Sequence, residues 1–311
     1  MSNKQVTPPL WNDEILARQA QSALDDFVER RLQEPSNRYI EILGESKELS
    51  NLVRLVSPID ASNPEPVLVR SIVAKPGLRR ALRYVAGPPV SEDDLGVLVT
   101  RKVKRLSNKE LKQNDALSAE VLKLVCRLAD AGRFPWLQHR RRPRAHELKQ
   151  AIRATAVLLA SQTMQTERRA YGRAVERALR DRLQAMGYVR ATAPNKGRIT
   201  APIHMPAALT FYGECSIHGR RTDLLIGLPD GRAIAVEAKD SSSVVNSVKR
   251  VLNDTAAKAE HWHAKFGEML IPVALLSGVF GTDSLRTPQA KGLYLVFAHD
   301  LDSFVAWLDT Q

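Results

Sequence analysis

The stretch that most constrains this chain runs from Arg221 to Lys239: Arg-Thr-Asp-Leu-Leu-Ile-Gly-Leu-Pro-Asp-Gly-Arg-Ala-Ile-Ala-Val-Glu-Ala-Lys. Two apolar runs flank Pro229-Asp230-Gly231-Arg232, a turn signal that predicts a β-hairpin. Residue 230 lies midway between Asp223 and Glu237. An antiparallel hairpin centred there sets these carboxylates opposite each other on one face, roughly 5 Å apart. Lys239 stands two residues beyond Glu237 on the same strand and shares that face. Like charges so placed repel. A divalent cation relieves the repulsion, because hard cations take carboxylate oxygens and keep water in their shell. Lys239 then lies near the bound water or the anion that the water attacks. The pattern is that of a metal-dependent hydrolase. The competing reading is ordinary: two solvated acids flanking strands, and a lysine at a sheet edge.

Charge narrows the substrate. The net charge is +12, and residues 131–200 hold 16 Lys or Arg against 4 Asp or Glu, an excess equal to that of the whole chain. The densest run is Gln138-His139-Arg140-Arg141-Arg142-Pro143-Arg144. A positive surface of this kind suits a polyanion, nucleic acid first; the alternative is a basic protein kept soluble by its charge. Arg140, Arg141, Arg142 and Arg144, read as an exposed turn, are candidates for contact with DNA phosphates. An anionic membrane surface fits less well, because no amphipathic anchor adjoins the run.

At 311 residues, with 44% hydrophobic and 26% charged side chains, the chain has the composition of a soluble globular protein of one large or two ordinary domains. It lacks an apolar run of about 18 residues, so no transmembrane span is expected. Its N-terminus has no apolar core that could serve as a secretory signal. Cys126 and Cys215 lie in unrelated segments, which excludes a disulfide framework or a cysteine-based zinc site. A cytoplasmic location is expected.

The first 150 residues predict a mainly helical region, with helices over 10–34, 37–56 and 116–130. In it Ser91 caps a helix whose first turn carries Glu92, Asp93 and Asp94, so these acids read as structural. From 146 to 187 the helical pattern continues, as one long helix or two abutting ones. Val175, Leu179, Leu183 and Met186 form its buried stripe, and Gly187 stops it. Glu176 adjoins that stripe. It can reach the sheet edge as a further carboxylate, or pair with Arg180 at i,i+4. Glu214 is a weaker candidate.

Beyond Lys239, Asp240-Ser241-Ser242-Ser243 predicts the cap of a helix from Val244 to Phe266, with Ala256, Ala259 and Trp262 inward. Ser241, Ser242, Ser243, Asn246, Lys249, Arg250 and Asn253 offer hydroxyls, amides and charge near the site, a candidate phosphate-binding surface; an ordinary solvated helix face is the alternative. His261 and His263, two apart on a helix, cannot share a ligand face, which rejects zinc there. Apolar runs at Met269–Leu276 and Gly292–Ala298 predict strands, followed by a helix from Leu301 to Leu308. The expected fold class is α/β, a mixed β-sheet core flanked by helices over 151–311, behind the mainly helical region of 1–150.

Asp223 followed by Glu237-Ala238-Lys239 resembles the signature of the PD-(D/E)XK nucleases, with Thr222 where proline is commonest. Gly172-x-x-x-Glu176, with Leu179, Leu183 and Gly187, resembles the helix that precedes the signature in many of them and supplies an additional acid. More specifically, Ala86-Gly-Pro-Pro-Val-Ser-Glu-Asp-Asp-Leu95, Asn246-Ser-Val-Lys-Arg250 with Asn253-Asp254, Lys258-Ala-Glu-His-Trp262, Ser277-Gly-Val-Phe280 and Ala298-His-Asp-Leu301 are similar to the XamI-type restriction endonucleases. The likeness runs from about residue 80 to the end. It implies a restriction-endonuclease-like fold, cleavage of double-stranded DNA with magnesium (Mg2+), and a homodimer on a short symmetric site. Carried over by position, it implies Asp223, Glu237 and the backbone carbonyl of Ala238 as metal ligands, Glu176 as an outer or second-metal ligand, and Lys239 at the attacking water. The rival expectations are a structure- or damage-specific nuclease of the same fold and a DNA-binding module without catalysis.

Overall fold

The computed structural model describes residues 7–44, 50–53, 66–102, 105–139, 141–243 and 254–311. It divides into two compact units, Met1–Leu32 with Arg168–Gln311, and Gln33–Glu167. Among the described residues no helix is long and apolar enough to cross a membrane.

The chain begins with α1 (Asp13–Gln33), which belongs to the first unit. The second unit is built from α2 (Ile40–Gly44), α3 (Pro66–Val73), α4 (Pro76–Arg83), α5 (Glu92–Thr100), α6 (Asn108–Gln113), α7 (Asp115–Arg127), α8 (Pro135–Gln138) and the first part of α9 (Ala145–Ala185). Its core gathers Val69, Ile72, Leu82, Leu122, Val125 and Trp136. The Ser91 hydroxyl accepts the Asp94 N–H at 2.9 Å, the expected cap. Cys126 is buried here and its thiol is pushed up to about 11 by burial. Pro66–Val73 is a helix with proline in its first turn, where the missing N–H costs nothing. Of the helix predicted over 37–56, α2 is described and the stretches 45–49 and 54–56 lie outside the described residues.

The sequence places a boundary near residue 150, whereas the compact units change at Glu167 and Arg168. The physical reason is that α9 is unbroken for 41 residues, so no turn chemistry marks the change. α1 joins the sheet-bearing unit because Leu16, Ala20 and Ala23 pack with Ala274, Leu276, Leu285 and Phe297.

That unit carries β1 (Val189–Arg190), β2 (Arg198–Ile199), β3 (Thr210–Tyr212), β4 (Cys215–Ile217), β5 (Arg220–Thr222), β6 (Leu224–Gly227), β7 (Ala233–Ser241), α10 (Ala257–Phe266), β8 (Leu270–Gly278), α11 (Thr282–Ala290), β9 (Tyr294–Phe297) and α12 (Leu301–Asp309). Six strands form a mixed sheet in the order β1-β3-β6-β7-β8-β9, and β2-β4-β5 form a second, smaller sheet. The two-residue β1 and β2 and the three-residue β3, β4 and β5 were invisible to periodicity, which needs at least four residues to show alternation.

Side-chain parity distributes the large sheet between two helical layers. Ile234 and Val236 of β7 and Ile271, Val273 and Leu275 of β8 pack with Val175, Leu179 and Leu183 of α9 and with Trp307 of α12. Ala233 and Ala235 face the other way, toward Trp262 and Phe266 of α10. A fully buried sheet of this kind has near-continuous apolar strands, and β8 is buried at all nine positions.

Candidate active site

The hairpin forms as its turn chemistry requires. Gly231 has φ +86°, the left-handed region that glycine enters without strain. Leu224 pairs with Val236, Leu225 with Ala235, Ile226 with Ile234 and Gly227 with Ala233, all centred on residue 230. Asp223 departs from this ladder. It lies in a bend between β5 and β6, where its N–H donates to the Val236 carbonyl (3.0 Å) and its Oδ2 accepts the Ala238 N–H (2.8 Å). The buried Thr222 hydroxyl fixes the bend, lying 3.0 Å from the Leu224 carbonyl and 2.9 Å from that of Val236. Thr222 thus holds by hydrogen bonds the backbone that proline would hold by its ring.

Glu237 is 2% exposed. Its parity with Ala233 and Ala235 turns it toward α10, and Lys239 follows on the same side. Lys239 Nζ donates to Glu237 Oε2 at 2.7 Å. The second oxygen, Oε1, accepts from Lys258 Nζ at 2.6 Å. Lys258, at the start of α10, also donates to the Arg221 carbonyl at 2.7 Å. A buried carboxylate demands such compensation.

Burial is the main cause that raises the Asp223 carboxyl above its ordinary range, with the charge of Glu237 second. The Glu176 carboxyl is also raised, first by burial, then by the charges of Asp223 and Glu214 against the lowering effect of Arg180. Glu176 lies 3.6 Å from Arg180, the i,i+4 pair that its spacing predicts, and it also feels Asp223 across from it. Of the two sequence readings of Glu176, the Arg180 pair is the one observed. Glu214 is exposed and pairs with Arg221 at 3.1 Å.

Among the described residues, no three His, Cys, Asp or Glu side chains gather as a cage for a metal ion. The donors available beside Glu237 are the Asp223 carboxylate and backbone carbonyls. Hard oxygens, two of them on like-charged and mostly buried acids, fit a divalent cation that keeps part of its water shell.

Other candidates fall elsewhere. Arg141 is taken up by Glu147, one of its bonds being 2.8 Å, and this pairing holds the Glu147 carboxyl down at about 2. Arg142 and Arg144 are exposed, in the second unit, and Arg140 lies outside the described residues. Arg79 is buried and donates to the Val73 carbonyl (3.1 Å) and Asn108 Oδ1 (2.6 Å), so it is not available to DNA. The predicted cap at Asp240–Ser243 is corrected in part: β7 runs through Ser241, which is buried with its hydroxyl donating to the Ser243 carbonyl at 2.8 Å. Ser242 is exposed. Asn246, Lys249, Arg250 and Asn253 lie outside the described residues.

Sequence reading missed Lys258 as a site residue. A signal was available: it stands four residues before the inward-facing Trp262, hence on the helix face turned to the sheet.

Against known proteins, a model of the XamI restriction endonuclease family matches residues 63–297. The chain belongs to the XamI restriction endonuclease family. Among curated relatives, the type II restriction enzyme XamI of Xanthomonas campestris pv. amaranthicola is 34% identical over 270 residues, covering 84% of this chain and 93% of that enzyme. No solved structure matches the chain. The mixed sheet between two helical layers is a restriction-endonuclease-like fold, and in this XamI-family member the Asp223–Glu237–Lys239 group sits where β6 and β7 leave the hairpin.

Proposed function

We propose that this type II restriction endonuclease hydrolyses double-stranded DNA through Asp223, Glu237 and Lys239, with magnesium as its cofactor. The observation that supports this reading is the buried Glu237, flanked by a second acid and bonded by Lys239 at 2.7 Å. Asp223, Glu237 and the Ala238 carbonyl would hold the cation, with Glu176 on its outer side. When bound, the cation acidifies water and neutralises charge on the scissile phosphate.

The chain's own residues supply the rest. The Ala238 N–H fixes Asp223 so that its carboxylate cannot rotate away. Lys239, held by Glu237, places an ammonium beside the attacking water and offers charge to the pentacovalent phosphate. The backbone of β7 sets the spacing between them. Arg142, Arg144 and Ser242, which are exposed, together with Arg140, Asn246, Lys249, Arg250 and Asn253, are the proposed phosphate contacts, which would position a duplex without specifying it. A homodimer accounts for cutting both strands, since the described residues of one chain hold one such group and a duplex has two scissile bonds.

Incubating the protein with a long sequenced duplex, with and without Mg2+, tests the reading. A discrete set of fragments that needs the metal and disappears in Glu237→Ala and Lys239→Ala is the expected result. An intact duplex under every condition, or fragments that persist in both variants, refutes it. Sedimentation of the protein with a duplex bearing one site checks the dimer.

A further inference from the structure

Lys258 is the polar contact of this site that the signature residues leave unexplained. Glu237 is a carboxylate 2% exposed with a lysine on each oxygen, Lys239 on Oε2 and Lys258 on Oε1. The two lysines differ in origin and in what else they hold. Lys239 follows Glu237 on the same strand. Lys258 arrives from α10 and is bound a second time, to the Arg221 carbonyl at 2.7 Å. Its side chain is only 19% exposed. A four-carbon stem fixed at both ends by burial and two acceptors is an ordered group, not a surface lysine in passing contact.

Charge balance shows what the second lysine does. Asp223 and Glu237 bring two negative charges into a mostly buried space, and Lys239 and Lys258 bring two positive ones. The site is electrically complete without a metal. A divalent cation entering between the two acids must therefore share Glu237 with ammonium groups already bonded to it. Lys258 is the one equipped to yield, because releasing Oε1 leaves it bonded to the Arg221 carbonyl rather than stranded without a partner.

We propose that Lys258 is a positioning residue that occupies Glu237 Oε1 in the metal-free protein and competes there with the divalent cation, so that it sets the metal concentration the enzyme requires. This rests on the placement of the cation at Asp223 and Glu237. The consequence runs against intuition: removing a charged contact at the site should strengthen metal binding while weakening the metal-free fold.

The test is calorimetric titration of Ca2+ into the full-length protein without DNA, with thermal melting at each metal concentration. Lys258→Met, Lys258→Gln, Lys258→Arg and Glu237→Gln stand beside the wild type. Lys258→Gln keeps amide donors for the Arg221 carbonyl and Glu237 while losing the charge, so it remains informative if Lys258→Met does not fold. Expected are Ca2+ affinities about tenfold tighter for Lys258→Met and Lys258→Gln, opposite in sign to the roughly 10–100-fold loss that follows if Lys258 only supports the ligand. Both variants should melt lower than wild type without metal and regain the difference with it. Lys258→Arg should stay within about threefold of wild type. Equal or weaker Ca2+ binding by Lys258→Gln overturns the competition while leaving the cation site in place. Wild-type binding by Glu237→Gln overturns the cation site itself, and the competition with it.

Discussion

Asp223 shows how a single side chain can be held at a cost to stability. Its carboxyl is raised above the ordinary range, chiefly by burial and next by Glu237, although the Ala238 N–H, Lys239 and Lys258 all pull the other way. The ionised form is thus less favourable in the folded protein than in the unfolded chain. For an acid shifted in this direction, the contribution to stability is fully present below the unfolded value and is lost as pH rises through the folded one. The metal-free protein bears this cost wherever the carboxyl is ionised. Asp223→Asn keeps an oxygen to accept the Ala238 N–H and removes the charge. It should raise metal-free stability by about 1 kcal/mol at pH 7, as changes at strained functional sites commonly do, and abolish DNA cleavage. The gain should shrink as the pH is lowered toward the carboxylate range. Urea unfolding of both proteins at pH 7 and pH 4 checks it, and a variant less stable than wild type at pH 7 contradicts the sign argued here.

At the scale of elements, β7 and β8 form the frame that carries the site, and their ends are joined by unusually close backbone. Ser241 pairs with Gly278, and the Val279 N–H donates to the Ser241 carbonyl at 2.8 Å. Gly278 has φ +94°, and a Cβ there would lie 2.0 Å from the Ser241 carbonyl oxygen. Gly278→Ala combines a left-handed conformation with a backbone clash that no side-chain rotation relieves, so β7 must shift just past Lys239. A loss of roughly 3 kcal/mol follows, in the range reserved for strain at special backbone positions, and chemical denaturation measures it. Activity should fall further than stability alone accounts for, because the displaced strand carries Glu237 and Lys239. The hairpin, the buried β8 and the long α9 were legible because each repeats a strong pattern: turn residues between apolar runs, the eight apolar residues Met269–Leu276, or a 3.6-residue stripe. The small sheet was not, since three-residue strands such as Cys215–Ile217 hold too little alternation. The same divide separates the site residues. Asp223, Glu237 and Lys239 are local in sequence and could be read together, whereas Lys258 meets Glu237 only because α10 packs on the face of the sheet toward which Ala233 and Ala235 of β7 point.

For the molecule as a whole, the decisive quantity is where its net charge of +12 can act. Several arginines of residues 131–200 are engaged within the protein: Arg141 by Glu147, Arg180 by Glu176, and Arg133 by Asp130 and the carbonyls of Tyr84 and Ala86. Within the Arg140–Arg144 run Arg141 is thus already engaged, and the exposed Arg142 and Arg144 are the described groups of that run placed to meet a phosphate. Each phosphate neutralised releases condensed counterions, giving a slope of about −0.9 per contact in a plot of log affinity against log salt. If Arg142 and Arg144 both meet phosphate, the Arg142→Ala, Arg144→Ala protein should show a slope shallower by nearly 2 with duplex DNA in Ca2+, where binding can be followed without relying on cleavage. The loss should be similar for a duplex with the recognition site and one without it, because phosphate contacts carry no sequence information. An unchanged slope would remove these two arginines from the interface. A loss confined to the cognate duplex would instead make them readers of bases, and the basic run would belong to specificity rather than to general attraction.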